Sequence, residues 1–322
     1  MVGCGNIASY FDEQHQNIGL PYTHVGAYCQ DGRFNVSACV EPSVERKKTF
    51  MGFWQVECGF SNLDECLEAG AVFDVVSLCS PTATHYDDLQ KIIKLQPRLI
   101  FCEKPITLSV EETKSVLARC QQHSILLAVN YTRAWDPAFE QLKVDRAAGL
   151  WGELRSVSGL YNKGILNNGS HLLDLIYSIV GEMELTSVGR AVFDYSPNDP
   201  TVPALLESKT GIPIHLMTAH AEDYAVFELQ LVFSKGVLVM EEAGFKWRAR
   251  QVEGSAIFSG YQKLNEGTFE AGSYEKSMLR AVDNIYHAVN QNEMLVKTGQ
   301  DAFKVQVLCE KIKCTALQEG HS

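Results

Sequence analysis

The feature that most constrains this chain is a rhythm in its first part. Short runs that are apolar on consecutive positions, at 35–40, 74–79, 99–102 and 125–129, alternate with helical periodicity at 63–69, 85–95 and 110–123. A run with no polar face predicts a strand buried on both sides, and intervening helices supply the two covers. The expected fold class is therefore α/β, with a doubly wound parallel sheet. Ser109 and Glu112 at the start of the third helix form a capping-box pattern. After residue 130 the rhythm changes. Strand candidates at 154–161, 214–218, 225–233 and 236–241 follow one another mostly without helices. Residues 233–237 read as a hairpin turn in which Gly236 supplies unusual backbone angles. This predicts two domains, 1–130 and 131–322, the second α+β with an open, mainly antiparallel sheet. One helix at 170–180 precedes most of that sheet, and helices at 274–290 and 300–317 close the chain. The stretch 194–210, with its Pro, Ser and Asp content, is expected to be a mobile loop.

Composition removes several function classes. Hydrophobic residues make up 46% and charged residues 21%, the balance of a globular protein. The formal net charge is −11 and no basic cluster exceeds Arg46-Lys47-Lys48, so nucleic acid is not an expected partner. No apolar stretch approaches the roughly 20 residues of a membrane-spanning helix. No basic, apolar leader opens the chain, so secretion is not indicated. None of the ten cysteines forms a C-x-x-C pair, and no metal site is expected. Buried reduced thiols suit a cytoplasmic location.

The opening Gly3-Cys4-Gly5-Asn6-Ile7-Ala8 fits the G-x-G-x-x-G/A dinucleotide turn. Gly3 permits the tight turn, Gly5 lets the backbone approach a pyrophosphate, and Ala8 lets helix and strand pack closely. The following helix start offers N–H groups, those of Asn6 and Ile7 among them, and a positive dipole end to phosphate. Glu41 ends the next strand, where a carboxylate accepts from ribose hydroxyls and repels a 2′-phosphate. NAD is thus favoured as cofactor. NADP stays open, because Ser43 and Arg46 are placed to serve a 2′-phosphate. Two departures stand out. Residues 9–22 look like an insertion beside the presumed pyrophosphate, either a cover for the cofactor or a surface loop. Only Met1 and Val2 precede Gly3, where a full central strand is expected. The first strand thus reads as truncated, and the chain is expected to fold less well and bind NAD more weakly than a version with about six more apolar residues upstream.

Four motifs in order carry a family resemblance: Cys79-Ser80-Pro81-Thr82-Ala83-Thr84-His85, Glu103-Lys104-Pro105, Asn130-x-x-Arg133, and Gly169-Ser170-His171-Leu172-Leu173-Asp174. They resemble successive signatures of the Gfo/Idh/MocA oxidoreductases, the glucose–fructose oxidoreductase and inositol dehydrogenase type. His24-Val25-Gly26-Ala27 and Gly299-Gln300-Asp301-Ala302 resemble that family's early and closing helices. The resemblance implies a Rossmann domain, a second domain built on an open sheet, and hydride transfer between a nicotinamide cofactor and a secondary alcohol or ketone of a sugar, sugar nucleotide or cyclitol. Lys104 and His171 are implied to converge on the reacting carbon, with Glu103 and Pro105 holding the turn.

The residue types fit that chemistry. An imidazole titrates near neutral pH, which suits His171 to moving the hydroxyl proton. Asp174, three residues on, shares its helix face and can orient the ring or bind a hydroxyl. Lys104 follows an apolar strand at the rim where α/β proteins bind ligands, and its ammonium can stabilise developing alkoxide charge. The resemblance further implies that Ser80, Pro81 and Glu103, with Lys104, line the cofactor side. His85 either contacts the nicotinamide ribose or merely starts a helix. Tyr131 and Arg133 follow a strand end and can line the substrate pocket, as can Trp135, whose rival reading is core packing. Asn167 stands where family members often carry an acid, so it can bind a hydroxyl but cannot take a proton. Asn162, Lys163, Asn168 and Ser170 offer further donors to substrate. Alternatives are a non-catalytic NAD-binding regulator, since the family includes a yeast transcriptional repressor, or a reductase of a non-sugar carbonyl or diol. The exposed face of an open sheet predicts a homo-oligomer.

Overall fold

In the computed structural model, residues 1–14 and 19–319 are described. The chain forms two compact units, Met1–Asp136 with Glu275–Lys304, and Pro137–Tyr274 with the chain from Val305.

The first unit holds strands β1 (Ala38–Val40), β2 (Cys58–Phe60), β3 (Val75–Leu78), β4 (Leu99–Cys102) and β5 (Leu126–Val129). β1 pairs with β2, and β3, β4 and β5 pair in that order, all in parallel. The N-terminal residues join the two groups. Val2 bridges in parallel to both Val40 and Leu78. Its N–H donates to Ser77 O (2.8 Å) and its carbonyl accepts from Cys79 N (2.7 Å), while Gly3 N donates to Val40 O (2.9 Å). The spatial order β2-β1-(Met1 to Gly3)-β3-β4-β5 is that of a doubly wound sheet. Met1 to Gly3 thus lie at the centre of that order.

The helices of this unit include α1 (Phe11–Gln14), which continues the wide helical turn Asn6–Tyr10, and then α2 (His24–Asp31), α3 (Val44–Trp54), α4 (Leu63–Glu68), α5 (Thr82–Lys94) and α6 (Val110–Gln122). Side chains cap four starts: Thr23 accepts from Gly26 N, Ser43 from Arg46 N, Asn62 from Glu65 N and Ser109 from Glu112 N. Sequence periodicity does not announce α3 or β2. Phe50 is the buried residue of α3, and β2 is an exposed edge, so neither carries an apolar pattern. The expected boundary at residue 130 also needs correction. Met278, Ala281, Val282, Ile285 and Val289 of the helix Ser277–Gln291 pack with Phe101 and Trp135 in the first unit's core. That apolar stripe draws the helix back to the first unit, and the break falls after Asp136.

The second unit is built on strands β6 (Leu154–Tyr161), β7 (Met183–Val188), β8 (Val192–Ser196), β9 (Asp199–Thr201), β10 (Ala204–Ser208), β11 (Pro213–Thr218), β12 (Phe227–Phe233), β13 (Gly236–Glu241), β14 (Lys246–Gly254), β15 (Gln262–Leu264) and β16 (Thr268–Ala271). Its main sheet has the order β15-β14-β13-β12-β6-β11-β10-β7, with β16 also on β14. Pairing is antiparallel except between β6 and β11. Helices α7 (Pro137–Ala147) and α8 (Ser170–Val180) belong here. Leu172 of α8 lies against Gly159 of β6, where any Cβ would meet it at 2.4 Å.

Two local expectations are overturned. The stretch 194–210 is no loose loop: it forms the end of β8, all of β9 in a hairpin with β8, and β10 in the main sheet. Its Asp194 accepts from Thr201 Oγ1 at 2.7 Å, a local polar pattern that mimics loop composition while securing a strand pair. Gly236 opens β13 opposite Phe233, and its φ is not positive. The glycine is needed for closeness, because a Cβ there would meet Arg250 O at 2.4 Å and the Trp151 ring at 2.9 Å.

Candidate active site

The turn after the central segment explains its two glycines differently. Gly3 has φ +81°, and a Cβ on it would lie 2.6 Å from Ser80 N. It is glycine because the end of β3 passes directly over it. Gly5 is exposed, and a Cβ there would meet nothing within 4 Å. That open space over the start of the helical segment Asn6–Gln14 is a cradle a side chain would fill, and it fits a pyrophosphate. Glu41, just beyond β1, binds the same turn. Its Oε2 accepts from Cys4 N (3.0 Å) and its Oε1 from Ser43 N (3.0 Å). Each carboxylate oxygen has a second lone pair for a ribose hydroxyl.

Residues 9–22 are more than a surface loop at their described ends; 15–18 lie outside the described residues. Asp12 accepts from Tyr22 N (2.9 Å), Thr23 N (3.1 Å) and Thr23 Oγ1 (2.6 Å), which fixes the entry to α2. Glu13 binds Arg46 through two bonds of 2.6 and 2.8 Å and accepts from Trp54 Nε1 at 3.0 Å.

At the end of β4, Glu103 and Lys104 precede a cis Lys104–Pro105 bond. Glu103 Oε1 accepts from Asn130 Nδ2 (2.6 Å) and lies 2.9 Å from His24 Nε2. His24 is fully buried, its Nδ1 3.3 Å from Ser77 Oγ, which also bonds Tyr28 OH at 2.8 Å. Burial pushes the Glu103 carboxyl up. The hydrogen bonds from His24 and Asn130 and the charge of Lys104 outweigh it and hold the carboxyl below its ordinary range. Lys104 itself is half-buried at this rim. His85 is fully buried, with Nε2 2.8 Å from Ser80 O and Nδ1 3.0 Å from Pro105 O. Its ring ties the end of β3 to the Glu103–Pro105 turn. Ser80 Oγ donates to Asp88 Oδ2 at 2.7 Å, and Pro81 N-caps α5 in exposed, extended backbone. Tyr131 is buried and Arg133 half-buried on the single helical turn Thr132–Trp135. Trp135 packs edge-on to Phe101 and donates to Asn284 Oδ1 at 3.3 Å, which settles it as core.

In the second unit, the segment Gly164–Gly169 leads into α8. Asp199 accepts from Leu166 N (2.8 Å) and Asn167 N (2.9 Å), and Thr201 Oγ1 accepts from Gly164 N (2.8 Å). His171 is half-buried on the first turn of α8 and Asp174 is buried one turn on. Asn162 does not face a ligand. It is fully buried, donates to Tyr224 O and accepts from Val226 N, because it closes the end of β6. Ser170 is likewise buried and donates to Asn167 O at 2.9 Å.

Residues 1–131 match the model of an oxidoreductase family with an NAD-binding Rossmann fold, GFO_IDH_MocA. The uncharacterized oxidoreductase YrbE of Bacillus subtilis is 29% identical over 120 residues, 37% of this chain. The matched part spans only 35% of that relative's length. Inositol 2-dehydrogenase of Rhizobium meliloti is 23% identical over 267 residues, covering 76% of this chain and 79% of the relative. The fold extends through both units. An oxidoreductase from Agrobacterium radiobacter, solved with NAD⁺, L-tartaric acid and magnesium, superposes with a TM-score of 0.77 at 16% identity, over 98% of this chain and 95% of that one.

Within the matched residues 1–131, Gly3, Glu41, Ser80 and Glu103 share the C-terminal rim of the parallel sheet, where α/β proteins bind ligands. A cavity of about 510 Å³ lies at the opposite ends of the strands, lined by Phe34, Val36, Ala38, Val75 and Tyr286 among others. By that rule it is not the cofactor site. The residues that sequence reading did not connect to the site are His24 with Ser77 and Tyr28, and Glu13. His24 is 79 positions from Glu103 and Glu13 is 33 from Arg46, and no local pattern marks either pairing. Among the described residues, no helix is long and apolar enough to cross a membrane.

Proposed function

We propose that this chain is an NAD-dependent dehydrogenase or reductase acting on a CH–OH group of a polyhydroxylated small molecule, a cyclitol or sugar. The observation that carries this is the anchored Glu103–Lys104–Pro105 turn at the C-terminal rim of the parallel sheet, in the part of the chain that matches the GFO_IDH_MocA model. Gly3, Gly5, Asn6, Ile7, Glu41, Ser80, Pro81 and Glu103 would hold the dinucleotide, which when bound supplies or accepts the hydride. Lys104 hydrogen-bonds the reacting oxygen and stabilises charge on it. His171 takes up or returns the hydroxyl proton, and Asp174 orients it or binds a neighbouring hydroxyl. Tyr131, Arg133 and Asn167 bind substrate. A cyclitol or sugar is supported by the likeness to inositol 2-dehydrogenase over most of both chains. Glu41 supports NAD over NADP. Self-association through the sheet face bearing Leu205, His215 and Met217, all exposed, fits the same reading.

The test is a panel of inositols, free sugars and sugar nucleotides with NAD or NADP, followed by absorbance of the reduced cofactor. Turnover on a polyol with NAD is expected. Tight NAD binding with no turnover anywhere on the panel would point instead to a regulator.

A further inference from the structure

The Arg46 guanidinium sits beside the proposed ribose-binding carboxylate. Cys4 is the ruler: its N–H donates to Glu41 Oε2, and its carbonyl accepts from Arg46 Nε. Glu41 and Arg46 therefore stand on the two sides of one residue of the dinucleotide turn. An arginine there matches a 2′-phosphate, whose oxygens suit the planar fork of N–H donors. In this chain the fork is already filled. Nη1 donates to Glu13 Oε2 (2.8 Å), Nη2 to Glu13 Oε1 (2.6 Å), and Nη2 also to Ser9 Oγ. With Nε on Cys4 O, most of the five N–H donors are engaged within the protein.

The pair is built rather than incidental. The side chains of Arg46 and Glu13 are 20% and 7% exposed, so solvent screens them little. Trp54 Nε1 adds a third donor to the Glu13 carboxylate. Burial pushes that carboxyl up, but the bonds from Arg46 and Trp54 prevail and hold it ionised below its ordinary range. Glu13 also comes from the segment that lengthens the spacing between Gly5 and Glu41. The neighbouring Asp12 locks that segment to the start of α2, so Glu13 cannot easily swing away.

We infer that Glu13 determines cofactor specificity: it occupies Arg46 as an internal substitute for the 2′-phosphate and so denies that cation to NADP. This rests on the proposal that Gly3 to Ala8 and Glu41 hold the adenosine end of the dinucleotide. Glu41 repels the phosphate, and Glu13 removes its counter-charge. An acid at the strand end alone would leave a free arginine beside it and a weaker choice between cofactors.

The experiment measures dissociation constants of NAD and NADP for the full chain as wild type, Glu13→Gln, Arg46→Ala and the double variant. Wild type is expected to prefer NAD. Glu13→Gln should raise the NADP-to-NAD affinity ratio by about tenfold or more, the worth of one or two charge-assisted bonds. Arg46→Ala alone should leave the ratio near that of wild type, and in the double variant the gain should vanish. The inference is overturned if wild type prefers NADP. An unchanged ratio in a Glu13→Gln protein that still binds NAD, or a gain that survives loss of Arg46, overturns it as well. So does loss of both nucleotides in Glu13→Gln, which would make Glu13 a support for the turn. Failure of wild type to bind either nucleotide would instead sink the underlying dinucleotide reading.

Discussion

Lys104 owes its position to its neighbours in the fold. Glu103 is pinned by His24 and Asn130, and the carbonyl of Pro105 meets the buried ring of His85. The lysine therefore leaves the rim from a turn held on both sides, as a preorganised donor requires. His171 gains the same from Asp199, whose carboxylate takes the N–H groups of the segment just before α8. If the proposed roles hold, Lys104→Ala and His171→Ala should each lower kcat by about 100-fold or more while NAD affinity changes little. Steady-state kinetics with the substrate found in the panel, beside NAD titration, checks this. Full turnover by either variant would remove that residue from the mechanism.

At the scale of elements, the dinucleotide turn joins two different demands in one short sequence. Gly3 serves the fold, since its positive φ and the Ser80 backbone at 2.6 Å leave no room for a side chain. Gly5 answers to no contact within the protein, since nothing crowds it, which leaves room for the proposed pyrophosphate. Gly3→Ala is expected to cost about 2 kcal/mol or more of stability. Gly5→Ala should keep a melting temperature near that of wild type yet weaken NAD binding by about tenfold or more. Thermal melts and NAD titrations of both proteins separate the two cases. Equal loss of stability in both would show that Gly5 also answers to the fold. Elements differed in how far they could be read in advance. β4, β6, β13 and α8 announce themselves through unbroken or alternating apolar residues. The edge strand β2 and the exposed helix α3 bury too little to leave a pattern, and the polar hairpin of β8 and β9 has the composition of a loop.

For the whole molecule, ionised carboxyls tied into the fold set the acid limit of stability. Glu103, Glu13 and Asp31 are each held below their ordinary values. The unfolded chain therefore takes up protons first as the pH falls. The stability these groups contribute is complete above their unfolded values of 4.5, 4.5 and 3.8, and is lost as pH drops through their lower folded values. Urea midpoints should thus fall increasingly steeply below about pH 5. Glu103→Gln keeps an acceptor for His24 and Asn130 but has no proton to gain. It should lower stability at pH 7 by about 2 kcal/mol and flatten that acid limb. An unchanged limb would mean that Glu103 is not held ionised by its partners.

By itself the sequence determined the kind of fold, the class of cofactor and the ordered motifs. Each of these is written locally, in runs of apolar residues, in the spacing of two glycines, or in a tripeptide such as Glu103-Lys104-Pro105. Tertiary structure alone decided that Met1 to Gly3 bridge two groups of strands and that the helix Ser277–Gln291 returns to the first unit. It also decided that His24 holds Glu103 and that Glu13 fills Arg46. Those pairings join residues far apart in the chain, and a hydrogen bond or ion pair imposes no period on the residues between its partners. Only the path of the folded backbone brings them within reach.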